Sequence, residues 1–130
     1  MVRLRAYLAT LAVALALDMV WLASVGAAVY RPRLGALLLA EPVLWAAAAF
    51  YLVYTAGALV FAVTPARSGR HAAWLGALFG FFAYATYDLT NLATLRGWSA
   101  AVSFLDMGWG ALLTAVAATA GYFAQGRRVI

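Results

Sequence analysis

Cysteine and lysine are both missing from this 130-residue chain, histidine occurs once and proline three times. Without Cys there is no disulfide, no thiolate metal site and no cysteine nucleophile. The one imidazole, His71, lies in a connecting stretch, so no His cluster exists to hold a metal, and neither a metal nor another cofactor is expected. The chain also lacks a Gly-x-Ser-x-Gly elbow and a phosphate-binding glycine loop, which removes the usual machinery of acyl and phosphoryl transfer. Charge is scarce: 10% of residues carry it, where a soluble domain has roughly 25%. The net charge of +5 comes entirely from nine arginines, and it reads as membrane topology and attraction to anionic headgroups. No soluble surface is left to present a basic groove, so nucleic acid is not an expected partner.

What is abundant is apolar surface, at 68% hydrophobic residues. Four runs of about 20 residues or more are long enough to span a hydrocarbon core of roughly 30 Å, near 4–29, 42–64, 72–95 and 99–124. Pro and Gly punctuate the short links Tyr30-Arg-Pro-Arg-Leu-Gly35, Pro65-Ala-Arg-Ser-Gly-Arg-His71 and Leu95-Arg-Gly-Trp-Ser99. Short links favour antiparallel neighbours. The expected fold is a single all-α domain, a polytopic membrane protein built as an up-and-down bundle of four transmembrane helices. The first run follows Arg3 and Arg5 and ends in Ser24-Val-Gly-Ala-Ala28, as a secretory signal does, but its length, Asp18 and Trp21 favour a crossing. Arg3, Arg5, Arg67, Arg70, Arg127 and Arg128 fall on one side of such a bundle, and Arg31, Arg33 and Arg96 on the other. Positive loops stay inside, so both termini are expected in the cytoplasm.

Three of the four acidic residues, Asp18, Asp88 and Asp106, lie inside these runs. Each carboxylate near the bilayer centre costs roughly 2.5 to 3.5 kcal/mol on insertion scales, so such groups face a protein interior or a wet cavity. Counted at about 1.5 Å per residue from the cytoplasmic end, Asp18 is about 21 Å deep, Asp88 about 24 Å and Asp106 about 27 Å, one layer in the outer half of the membrane. Helical spacing adds neighbours. Tyr84, Asp88 and Asn91 share a stripe on the third helix beside a second face with Tyr87. Asp106 and Trp109 share one on the fourth, Asp18 and Trp21 one on the first, and the second offers Tyr51 and Tyr54. Gly76 and Gly80 read as a packing pair. Leu17-Asp-Met-Val-Trp21 is echoed by Leu105-Asp-Met-Gly-Trp109, each Trp one turn from an Asp and able to donate an indole N–H.

These segments, with Phe50-Tyr-Leu-Val-Tyr54, Tyr84-Ala-Thr-Tyr-Asp-Leu-Thr-Asn91, Arg96-Gly-Trp98 and Asp106-Met-Gly-Trp-Gly110, resemble the signature segments of the small bacterial membrane proteins grouped as domain of unknown function 2177. The resemblance covers nearly the whole chain. It implies a bacterial inner-membrane protein with the same few crossings, and it supplies no mechanism.

Apart from Arg5 at the start of the first run, far from the aspartate layer, no Lys, Arg or His lies within the four runs to pair the aspartates, so at least one or two of them are expected to keep a proton at neutral pH. Three uses suit that state. The first is proton- or cation-coupled transport of a small molecule, or ion binding, at the Asp layer between aromatic walls; four helices are few for a monomeric transporter, so this implies a homo-oligomer. The second is a lipid-phase enzyme, with an Asp as general acid toward a lipid or isoprenoid. The third is a structural or accessory membrane subunit whose aspartates join helices, which Ser or Thr would do at lower cost.

Overall fold

The structure is a computed structural model and describes residues 1–126; Arg127 and Arg128, counted above for topology, lie outside the described residues. Helices account for most of the chain, and no strand occurs among the described residues. We label them α1 (Val2–Leu37), α2 (Leu44–Val63), α3 (Gly69–Thr94) and α4 (Ala100–Ala124). Three of these, α1, α2 and α4, are long and apolar enough to cross a membrane. The fourth, α3, has the length at 26 residues, but carries Arg70, His71, Asp88 and Asn91.

Local chemistry sets the ends. Ser68 accepts from the backbone N–H of His71 at 3.0 Å and starts α3; Ser99 accepts from that of Val102 at 3.1 Å and starts α4. Each side chain satisfies one of the orphan donors of a first turn. Between α3 and α4 the chain reverses through Gly97, whose φ of 73° suits a residue without Cβ.

One boundary departs from expectation. The first helix does not stop near residue 29, and Tyr30-Arg-Pro-Arg-Leu-Gly35 is no loop. Ordinary α-helix over Val2–Trp21 passes into a π-helical stretch, Leu22–Tyr30, then an α-turn at Arg31–Leu34 and a 3-10 turn at Gly35–Leu37. Pro32 has no N–H and its ring crowds the carbonyl four residues back, so it disrupts regular α-helix. Directly after a widened turn, and at the start of a new α-turn, that conflict is relieved.

The chain runs up and down. Ala6 of α1, Ala62 and Val63 of α2 and Ala118 of α4 form one buried cluster, so the start of α1 and the ends of α2 and α4 share one end of the bundle. Ala14, Tyr54, Leu113 and Ala117 form a second cluster midway. Five of these eight residues are alanine, which lets the helices lie close. Large apolar side chains such as Trp45, Phe61, Trp74, Phe104 and Leu112 point outward. A soluble protein would have buried that surface against itself; here the acyl chains of a bilayer cover it.

The most extensive interface, α3 on α4, fixes the site. A Cβ added at Gly80 would meet the carbonyl oxygen of Gly110 and the hydroxyl of Thr114, so only Gly permits this approach. One turn below, Gly76 lies against Thr114 and Ala118, and one turn above, Gly110 lies under the ring of Tyr84. The opposed pairs are therefore 76 with 118, 80 with 114 and 84 with 110, rising by four on one helix as they fall by four on the other. The next pair in that antiparallel register is Asp88 with Asp106.

Candidate functional site

A cavity of about 630 Å³ opens at the end of the bundle opposite the start of α1. Asp18, Trp21, Leu22, Tyr30, Leu34 and Leu38 line it from α1 and the segment after it, Phe50 from α2, Ala83, Tyr84, Tyr87 and Asp88 from α3, and Trp98, Val102 and Asp106 from α4 and the turn before it. The volume is that of a small-molecule site, and the make-up is typical of one: mostly apolar and aromatic walls with a few converging polar groups. All three intramembrane aspartates reach it. Among the described residues, no Arg, Lys or His does.

Each carboxyl has a different environment. Asp18, buried on α1, accepts from the indole N–H of Trp109 at 3.0 Å and from the Tyr51 hydroxyl. Two donors from two other helices fix this carboxyl in place. Asp106 is partly exposed to the cavity and accepts from the Tyr30 hydroxyl at 2.8 Å. Asp88 is fully buried, and neither of its oxygens meets a donor. Its neighbour across the interface is the Asp106 carboxyl. Two ionised carboxylates cannot donate to each other, so this pair is satisfied only when a proton lies between them.

The two tryptophans of the sequence echo act crosswise. Their rings stack, centroids 4.3 Å apart and planes within 4°. Trp109 of α4 donates to Asp18 of α1, while Trp21 of α1 donates at 3.1 Å to Tyr30, which in turn donates to Asp106 of α4. Each helix thus supports the carboxyl of the other, and the stack joins the two halves of the polar network.

Of the residues expected from sequence, Asp18, Trp21, Tyr84, Tyr87, Asp88 and Asp106 line the cavity, and Tyr51 and Trp109 hold Asp18 from behind. Two differ. Asn91 is not among the lining residues. Tyr54 lies a layer deeper, hydrogen-bonded to Thr114 in the packed core, since residues four apart from Ala58 face inward on α2.

Sequence reasoning missed Tyr30, Trp98 and Phe50. Trp98 folds back from the turn, donates to Ser103 at 2.9 Å and meets Tyr87 edge to face. Tyr30 depends on the π-helix. From Trp21, nine residues make two and a half turns at about 3.6 residues per turn, which would put Tyr30 on the far face. A turn closed by i→i+5 bonds takes about one residue more, so nine residues make about two turns and Tyr30 returns to the face of Trp21. No periodicity in the sequence signals that change.

Fold and site together define a small polytopic α-helical membrane protein with an acidic, aromatic cavity enclosed by its helices. The chain belongs to the family described as predicted membrane protein, domain of unknown function 2177, whose model matches residues 3–123. No curated protein and no solved structure matches it.

Proposed function

We propose that this protein binds a small organic cation in the cavity and exchanges it for protons, as the binding step of a cation-coupled transport cycle. One observation carries the reading: three aspartates border an apolar, aromatic-walled space that, among the described residues, no basic residue lines. In low dielectric a carboxylate without a counter-ion is costly, and a guest cation or a proton supplies the missing charge. Walls that include the rings of Trp21, Tyr84 and Trp98 suit an organic cation better than a bare metal ion, because aromatic rings attract its charge and its apolar body gains contact area. A bare ion would leave most of the space unfilled.

The resemblance to small bacterial membrane proteins supports a bacterial inner membrane, and the arginine asymmetry supports cytoplasmic termini, which puts the cavity toward the outer face. Among the described residues, Arg3, Arg5, Arg67 and Arg70 lie at the end of the bundle opposite the cavity, and Arg31, Arg33 and Arg96 lie at the cavity end. A homo-oligomer suits the small size of a single copy.

The test compares benzyltrimethylammonium with its uncharged isostere neopentylbenzene, both titrated into purified protein in micelles and followed by tryptophan fluorescence. The cation is expected to bind about tenfold or more tighter, the factor that roughly 1.4 kcal/mol of charge recognition supplies. Equal affinities for the two would mean an apolar binding site only.

A further inference from the structure

We infer that Asp88 and Asp106 form a proton-binding pair in which Asp88 holds the exchangeable proton and Asp106 meets the guest cation; this rests on the cation-binding reading above. The division of labour follows from position. Asp88 borders the cavity, but its oxygens are shut away from it and from every donor, behind the carboxyl that stands opposite in the α3–α4 register. Asp106 keeps partial access to the cavity and a donor, Tyr30. A buried acceptor with no donor is expensive, and the neighbouring carboxyl satisfies it only by sharing a proton.

The other ionisable groups around the pair do not replace that proton. From α1 come Tyr30, already donating to Asp106, and Asp18, held by Trp109 and by Tyr51 of α2; from α3 come Tyr84 and Tyr87; none is basic. The exchange balances in charge. The empty pair carries one proton and one negative charge; when a cation settles against Asp106, the shared proton leaves to water and both carboxylates remain, so one positive charge departs as another arrives.

Displacement of one proton makes cation affinity rise about tenfold per pH unit while the pair is protonated. Asp88→Asn keeps the shape and supplies an amide N–H to Asp106 in place of the proton. The variant should bind the cation with no proton release and with an affinity that no longer changes with pH. Asp106→Asn should lose the cation at least tenfold, because the Asp88 oxygens are out of reach and the Asp18 carboxyl is already held by Trp109 and Tyr51.

The measurement is calorimetric titration with benzyltrimethylammonium, whose charge is permanent, in two buffers of different ionisation enthalpy, so that released protons come from the protein. One proton per cation in the wild type and none in Asp88→Asn is the expected result. Wild-type binding without proton release overturns the inference and leaves the cation site standing, as does proton release that persists in Asp88→Asn. Absence of wild-type binding at any pH removes both. Should Asp88→Asn fail to fold, the wild-type proton count and Asp106→Asn decide the matter.

Discussion

Asp88 stands directly opposite Asp106 because Gly80 lets α3 and α4 touch backbone to backbone two turns away. A packing residue thereby sets the geometry of a polar pair. The chain contains no cysteine, so this relationship is open to direct cross-linking. Asp88→Cys with Asp106→Cys should form a disulfide under mild oxidation, which requires Cα atoms within about 7 Å. Leu89→Cys with Asp106→Cys should not, since Leu89 is lipid-facing. Loss of both thiols to a maleimide label only in the first pair is the expected readout. Equal cross-linking of the two pairs would refute the register.

The same Gly→Ala change should have opposite signs at two places on these helices. At Gly80 the new methyl collides with the Gly110 carbonyl and Thr114, and separating the helices costs about 1 to 3 kcal/mol of stability. At Gly108 a Cβ meets nothing within 4 Å, and Ala gains helix propensity of up to about 1 kcal/mol. Thermal unfolding in detergent should therefore shift down for Gly80→Ala and not down for Gly108→Ala. Stability unchanged at Gly80 would show that the close approach of α3 and α4 is not what holds the bundle together.

How far the sequence disclosed this arrangement depends on the range of the physics involved. Four long helices and the anomaly of Asp18, Asp88 and Asp106 are legible because desolvation acts on each residue wherever it ends up. Counting along straight helices then suffices to bring the three carboxyls to one depth. Gly76 and Gly80 were legible as packing residues, yet their partners were not, since register belongs to two helices and neither one's sequence states it. Asn91 shows the same limit: it shares a stripe with Tyr84 and Asp88, yet it is not among the residues that line the cavity. Tyr30 was hidden by a change of helix type, and Pro32 suggested a break at the point where the helix continues.

Tyr30 offers a test of that change. Its hydroxyl donates to Asp106 and accepts from Trp21 only because the π-helical turns bring it to their face. Tyr30→Phe leaves the Trp21 indole without its acceptor and Asp106 without its donor. Loss of a hydrogen bond to a carboxyl is worth about 1 to 3 kcal/mol. The variant should unfold at a lower temperature and show altered tryptophan fluorescence, because Trp21 is stacked on Trp109. Ser24→Ala, on the same π-helical stretch with its hydroxyl bonded only to the local backbone, is the matched control and should change stability by no more than about 0.5 kcal/mol. If both variants behave alike, Tyr30 does not reach Asp106.

Orientation is the last expectation and the simplest to check. Arg3, Arg5, Arg67 and Arg70 gather at one end of the bundle, and retention of positive loops in the cytoplasm would put that end inside and the cavity toward the outside. Gly35→Cys lies at the cavity end, where a Cβ meets nothing within 4 Å, and Ala66→Cys lies in the α2–α3 turn at the other end. In intact cells a membrane-impermeant maleimide should label the first and spare the second, and permeabilisation should expose both. Removing positive charge from the inner turn, with Arg67→Gln and Arg70→Gln together, should weaken the bias and produce partial labelling at position 66. Labelling of Ala66→Cys but not Gly35→Cys in intact cells would invert the molecule, turn the cavity to the cytoplasm, and make proton release on cation binding an inward event.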